Sequence, residues 1–296
     1  MKLVLVTIFF CFLYACTALA DEGDFMTNGK NIDITIGQPI SELLSTSPIP
    51  FETDCLIPVQ ICWYKVQQHF SSSVLPSVNI RSLSAPLLHL NDVATVNIVI
   101  DEKLGRDIRA VNLAIRGLPD DSTHADQKTF IYKTLQEIIH AGWNHFYSFS
   151  DPRIPGAEAD KLPDPNRLFG KPVLAHPWFD PRYEFSLDKW LKADHFFHWQ
   201  FYKKGHYLEV TVQRANSRES PTEHGTYLIS MELMSEDSYW RQHFSEEHKN
   251  EWTVQLPRVL KQYHEERTAQ EEKARAAGIR IEEDYQDPCI HGLFQQ

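Results

Sequence analysis

The stretch FFHWQFYKKGHYLEVTVQ, Phe196 to Gln213, decides the fold class. Phe197, Trp199 and Phe201 alternate with His198, Gln200 and Tyr202. After Lys203-Lys204-Gly205, Leu208, Val210 and Val212 alternate with Glu209, Thr211 and Gln213. A period of two marks half-buried strands, and a polar, glycine-bearing break between two such runs marks a hairpin. For both apolar sets to share one face, paired residue numbers must sum to an odd value, because one set is odd and the other even. Pairing Trp199 with Leu208 and Phe197 with Val210 meets that condition.

The same grammar extends outward in both directions. Upstream, Val96, Ile98 and Ile100 alternate with Thr95 and Asn97, and Val111, Leu113 and Ile115 alternate with Asn112 and Ala114. Parity pairs Ile98 with Val111 and Val96 with Leu113 around the loop Lys103 to Arg106, where Gly105 supplies a positive φ. Downstream, Tyr227 to Met234 extends the second hairpin to a meander. Ile32, Ile34 and Ile36 predict a short strand, and Gly37-Gln38-Pro39 opens a brief helix through Leu44. Residues 46–90, rich in Ser and Pro, read as irregular apart from a strand near Val78-Asn79-Ile80.

Three helices complete the reading. One spans about 125–141, with capping residues between Asp120 and Thr123. Its stripe is Ile131, Leu135, Ile138 and Ile139, and Gly142 stops it. A short one runs from Ser186 to Ala193. The last covers 243–278, with Trp252, Leu256, Val259, Leu260 and Tyr263 as its stripe and a kink at Pro257. Its charged end, Glu265 to Ala277, reads as a solvated face.

Between the two hairpin regions, seven of the 17 prolines fall from Pro152 to Pro181. Proline removes backbone donors and fixes φ, so neither a helix nor a central strand survives there. The fold class is therefore α+β: two small antiparallel β-sheet lobes with packed helices, joined by a proline-rich connector, plus a C-terminal helix. The boundaries are a leader at 1–20, an N-terminal lobe at 21–149, the connector at 150–182, a second lobe at 183–242, the helix at 243–278 and a loose tail at 279–296.

The leader carries Lys2, an apolar run from Leu3 to Tyr14, and Ala18-Leu19-Ala20 before Asp21. This is the pattern of a secretory signal peptide cleaved between Ala20 and Asp21. Leu13-Tyr14-Ala15-Cys16 offers a second processing route, lipidation at Cys16, although Tyr14 fits such a motif poorly. Export into an oxidising compartment makes a bridge between Cys55 and Cys62 the expected pairing, with Cys289 left free. The segment Ile34 to Leu44 resembles the helix-opening phrase of small periplasmic proteins of the beta-lactamase-inhibitor-protein type. That match spans 11 residues and carries no site residues over.

Charge and motif content narrow the function. With 29 Lys and Arg against 40 Asp and Glu, the formal charge is -11, which argues against nucleic acid or an anionic membrane as main partner. None of the hydrolase, zinc-protease, phosphate-loop or dinucleotide motifs occurs. His195 and His198 fall on opposite faces of a strand and so do not grip one metal ion. No cofactor is implied. Strand alternation sends Tyr202 and Tyr207 to the face away from the core, and Trp178 joins them as a candidate binding aromatic. The sequence thus points to an exported, non-catalytic periplasmic protein that masks or inhibits a protein partner, and its acidic charge suits a basic one. An envelope assembly or maintenance lipoprotein is the alternative, and an envelope hydrolase ranks third.

Overall fold

The computed structural model describes residues 30–294. The leader and its processing residues Cys16, Ala20 and Asp21 lie outside the described residues. The chain begins with β1 (Asn31–Ile36), whose Ile32, Ile34 and Ile36 are buried, and α1 (Ile40–Thr46), which buries Ile40 and Leu43. Residues 46–90, read as irregular apart from a strand near Val78-Asn79-Ile80, hold β2 (Glu52–Leu56), β3 (Ile61–Gln67), the expected strand as β4 (Ser77–Ser82), and β5 (Pro86–Leu90), so β2, β3 and β5 are the additions. Most of the Ser and Pro fall between these strands, and Ser77, Ser82 and Pro86 sit at strand ends. The alternation in β3 escapes an aliphatic pattern because its buried set is Cys62, Tyr64 and Val66. β1 runs parallel to β4, which pairs antiparallel with β5, giving a sheet of three strands.

β6 (Val93–Asp101) and β7 (Ala110–Ile115) form the first expected hairpin, with Val96 opposite Leu113 as parity requires. β8 (Ser122–Thr123) leads into α2 (His124–His140), where the Thr123 side chain accepts the Asp126 amide as N-cap. β9 (Asn144–His145) precedes the connector, which contains only 3-10 turns and a small hairpin of β10 (Arg167–Leu168) and β11 (Lys171–Pro172). After α3 (Leu187–Lys192) come β12 (Phe196–Lys203), β13 (His206–Asn216) and β14 (His224–Ser235). The chain closes with α4 (Glu236–Arg241) and α5 (Trp252–Ala276), the latter holding Pro257 inside it.

Two expectations about these strands need correction. The pairing of β12 with β13 places Trp199 opposite Val210 and Phe197 opposite Val212, two residues from the expected register. The turn is only Lys204-Gly205, with φ of 46° and 76°, as a type I′ hairpin demands. A shift by two preserves parity, so the inward face is the expected one. The second correction concerns the lobes. β14 pairs with β7 from Met234 opposite Ala110 to Ile229 opposite Ile115, so the two hairpins belong to one antiparallel sheet of nine strands in the order β2-β3-β6-β7-β14-β13-β12-β9, with β8 beside β14. Each hairpin alone leaves an unpaired edge, and the two edges satisfy one another.

The inner face of this sheet carries the main core. Ile131, Leu135 and Ile138 of α2, Trp190 of α3, and the three-stranded sheet all pack there. The connector is a wall of that core and not a linker between lobes. Trp178 and Phe179 are buried in it, and the Trp178 indole donates to the carbonyls of Ala159 and Leu162 at 3.1 and 2.9 Å. Nor is the charged end of α5 a solvated face. Arg267 is buried and donates to the carbonyls of Asp151 and Ser148, while Arg153 forks onto Glu271 at 2.7 and 2.8 Å. The tail is likewise held, with Ile279, Ile281 and Ile290 buried and Glu282 paired to Arg182 at 2.9 Å. A proline-rich segment has many carbonyls and few amides of its own to bond them, and Arg267 from α5 supplies donors to the Ser148 and Asp151 carbonyls where that segment begins.

Candidate functional site

On the outer face of the sheet, the residues of β2, β3 and β6 that point away from the core follow from register. Trp63 lies opposite Asp54 on one side and Val99 on the other, and Ile61 lies opposite Leu56. Cys55 and Cys62 point inward from adjacent, directly paired positions and are joined as a disulfide. The bridge expected from the sequence is therefore present, and Cys289 is free. It closes the loop Leu56 to Ile61, which makes one 3-10 turn over Ile57–Val59 and returns through Gln60 at a positive φ of 61°. The Gln60 amide donates to the Leu56 carbonyl at 3.0 Å, and the Gln60 carbonyl accepts the Glu102 amide at 2.9 Å. The tip is thus fixed by a covalent bond and by hydrogen bonds at its base.

What this tip displays is apolar. Leu56 is 52% exposed, Ile57 75% and Val59 38%, and Val99 beside them is 39% exposed. Ile61 and Trp63 are half-buried and complete the patch. Burying a Leu, Ile or Val side chain fully is worth about 1.5–3 kcal/mol, so leaving a cluster of them in water is a cost that folding has not removed. The outward residues flanking the patch on β2, β3 and β6 include Glu52, Asp54 and Asp101 against Lys65 alone among cations. β2 is also the free edge of the sheet, exposed along almost its whole length.

Next to the patch, a cleft of about 280 Å³ separates it from α4. Ile61, Val99, Ala110 and Met234 are among its apolar lining, while Arg109, Arg241 and Lys249 face Asp101, Asp107 and Glu232 as its charged groups. Asp237 holds the two arginines, accepting from Arg241 Nε at 2.7 Å and facing Arg109 at 3.5 Å. Burial, and then the neighbouring Glu209, raise the Glu232 carboxyl above its usual range. The arrangement has an apolar centre and a polar, charged rim.

Comparison with protein-family models, with curated proteins and with solved structures finds no match. The geometry therefore stands by itself.

The aromatics singled out from sequence lie elsewhere. Tyr207 does point outward from β13, but α4 covers it: it is 2% exposed and its ring stacks on Tyr239 with centroids 3.7 Å apart. Tyr202 is half-buried, with its hydroxyl accepting the Gly205 amide at 2.8 Å. Trp178 is 4% exposed, in the core on the opposite face of the sheet. The structure thus brings Tyr202 and Tyr207 together, with centroids 5.2 Å apart, and leaves Trp178 apart from them. Tyr207 and Trp178 are not exposed anchors. His195 and His198 take separate partners, the Arg214 carbonyl at 3.1 Å and Glu209 at 3.2 Å. Among the described residues no group of three or more His, Cys, Asp or Glu is placed to hold a metal ion. No helix among them is long and apolar enough to cross a membrane.

The sequence carried one signal for this exposed patch. Leu56-Ile57-Pro58-Val59 is an apolar run between two cysteines expected to pair, too short for a buried strand and interrupted by proline. Residues confined between paired cysteines at the ends of adjacent strands form a hairpin tip, and a tip projects beyond the layer that would cover it.

Proposed function

We propose that this is an exported binding protein that masks or inhibits another protein by stoichiometric association, using the clamped tip and the open outer face beside it. One observation carries the reading: the Cys55–Cys62 bridge holds Leu56, Ile57 and Val59 exposed at the free edge of the sheet. A disulfide across this position restricts the unfolded loop and fixes the tip before any partner arrives, which lowers the ordering cost of association. The three carboxylates flanking the patch and the overall charge of -11 favour a partner with a basic rim around an apolar groove.

The experiment is capture from an exported-protein fraction with the native chain and with Ile57→Asp in parallel. The expected result is one protein retained in equimolar amount by the native chain and lost by the variant, with both melting alike. Equal retention by the variant would remove the tip from the interface. Turnover of an envelope substrate by the purified chain, with no protein retained, would replace this reading with a catalytic one.

A further inference from the structure

Hydrogen bonds at the two ends of β3 fix which backbone groups of β2 are free. The Gln60 carbonyl accepts the Glu102 amide at 2.9 Å, and the Gln68 amide donates to the Ala94 carbonyl at 2.8 Å. Both pairs continue the register of β3 with β6, so the even-numbered residues of β3 bond to β6. Successive residues of an antiparallel strand turn their amide and carbonyl to opposite sides. Ile61, Trp63 and Lys65 therefore bond to β2, through Leu56, Asp54 and Glu52. Cys55 and Cys62 form a non-hydrogen-bonded pair between them, as their Cα separation of 4.1 Å requires. Thr53 and Cys55 thus turn both N–H and C=O to the side where β2 has no neighbour among the described residues.

The side chains along this edge select what can pair with it. Glu52, Asp54 and Leu56 point to the outer face and are exposed. On an added strand, the residues opposite these three would occupy non-hydrogen-bonded positions, where facing side chains come closest. Lys65 lies opposite Glu52 across the other side of β2, but Asp54 lies opposite Trp63 and has no cation there. A second copy of this chain fits poorly. A two-fold axis at Thr53 sets Glu52 against Asp54 of the copy, and one at Asp54 sets that carboxylate against itself; like charges directly opposite repel. An axis at Cys55 runs Glu52 against Pro58 of the copy, at the tip. The carboxylates guard the edge against its own kind and leave it open to a strand of opposite charge.

Building on the binding function above, we propose that the partner docks by adding an extended segment antiparallel to β2, in the order apolar-x-basic-x-basic. Its apolar residue lies opposite Leu56 and its two cations opposite Asp54 and Glu52. The intervening residues exchange backbone hydrogen bonds with Cys55 and Thr53. Main-chain bonds hold the segment, and the alternate side chains select it.

The probe is a capped synthetic peptide, Leu-Thr-Lys-Thr-Lys, titrated into the full chain and followed by protein NMR and amide hydrogen exchange. Three controls carry glutamate in place of lysine, the reversed order, or N-methyl groups on both threonines. Saturable binding at least about fivefold tighter than each control is expected, with slowed exchange at the Thr53 and Cys55 amides. Thr53→Pro removes an outward N–H that takes no part in the β2–β3 ladder, so it should melt like the native chain and bind at least about fivefold more weakly. Asp54→Lys should reverse the preference between the lysine and glutamate peptides. No saturable binding of the lysine peptide to the folded chain up to about 5 mM would overturn the proposal. Equal binding of the N-methylated peptide would reduce the contact to charge alone and overturn it too. Self-association of the free chain that Thr53→Pro abolishes would give the edge to a second copy instead. The peptide reports on the edge and the Ile57→Asp capture on the tip, so either can fail without the other.

Discussion

The outer face of the nine-stranded sheet has two ends that share one strand pattern and meet opposite fates. At the β12–β14 end, Tyr202, Tyr207 and Met234 lie under α4, α5 and the tail, where Tyr239, Trp240, Trp252 and Ile290 complete a second core. At the β2–β3–β6 end, Leu56, Trp63 and Val99 hold equivalent outward positions with no layer above them among the described residues. Alternation states which side of a sheet a residue takes. Whether that side is wet depends on a third layer that arrives from elsewhere in the chain. At the covered end the outward aromatics are packed into a second core, and at the open end the outward residues stay wholly or partly in solvent.

The largest effects should fall at the covered end. Trp240 is fully buried against Tyr239 and Phe149, and Trp240→Ala is expected to cost about 3–5 kcal/mol in urea unfolding. A cost below about 1 kcal/mol would mean that the two ends are not different in kind. Next comes the clamp at the open end. Replacing Cys55 and Cys62 together with Ala should cost about 2–3 kcal/mol for a loop of this length, and should weaken partner binding beyond what instability explains. Unchanged affinity with the stability loss would make the bridge a purely structural staple.

A pH experiment sharpens the contrast further, because the covered end holds a buried acid. Burial pushes the Asp151 carboxyl up to about 6, although the Ala175 and Leu174 amides and Arg267 act to lower it. Since this folded-state value lies above the unfolded one, its contribution to stability is complete at pH below the unfolded value and is lost as pH rises through 6. The loss should be about 2 kcal/mol. Denaturant titrations from pH 4 to 7 should show the native chain declining by that amount relative to Asp151→Asn. Parallel curves for the two proteins would count against the assignment. The smallest effect on stability belongs to the tip: Ile57→Asp should change unfolding by less than about 0.5 kcal/mol while lowering partner affinity at least about tenfold. A large stability loss there would show that the tip is packed in solution, and the contrast between the two ends would fail.

By itself the sequence determined what neighbours along the chain decide. The odd-sum parity of both hairpins, the Thr123 cap and Gly142 stop of α2, and the pairing of cysteines seven residues apart were all legible, because strand period, turn chemistry and loop length act over a few residues. The register of the second hairpin was legible only to within two residues, since parity admits both pairings and the turn type chose between them. Tertiary structure alone decided the rest. It joined the two hairpins through β7 and β14, and it tied down the connector and tail through arginine contacts spanning 116 and 100 residues. It also covered Tyr207 while leaving the Leu56–Val59 tip bare. Those outcomes depend on which distant segment buries which surface, and a periodic pattern read along one strand holds no information about the layer that will close over it.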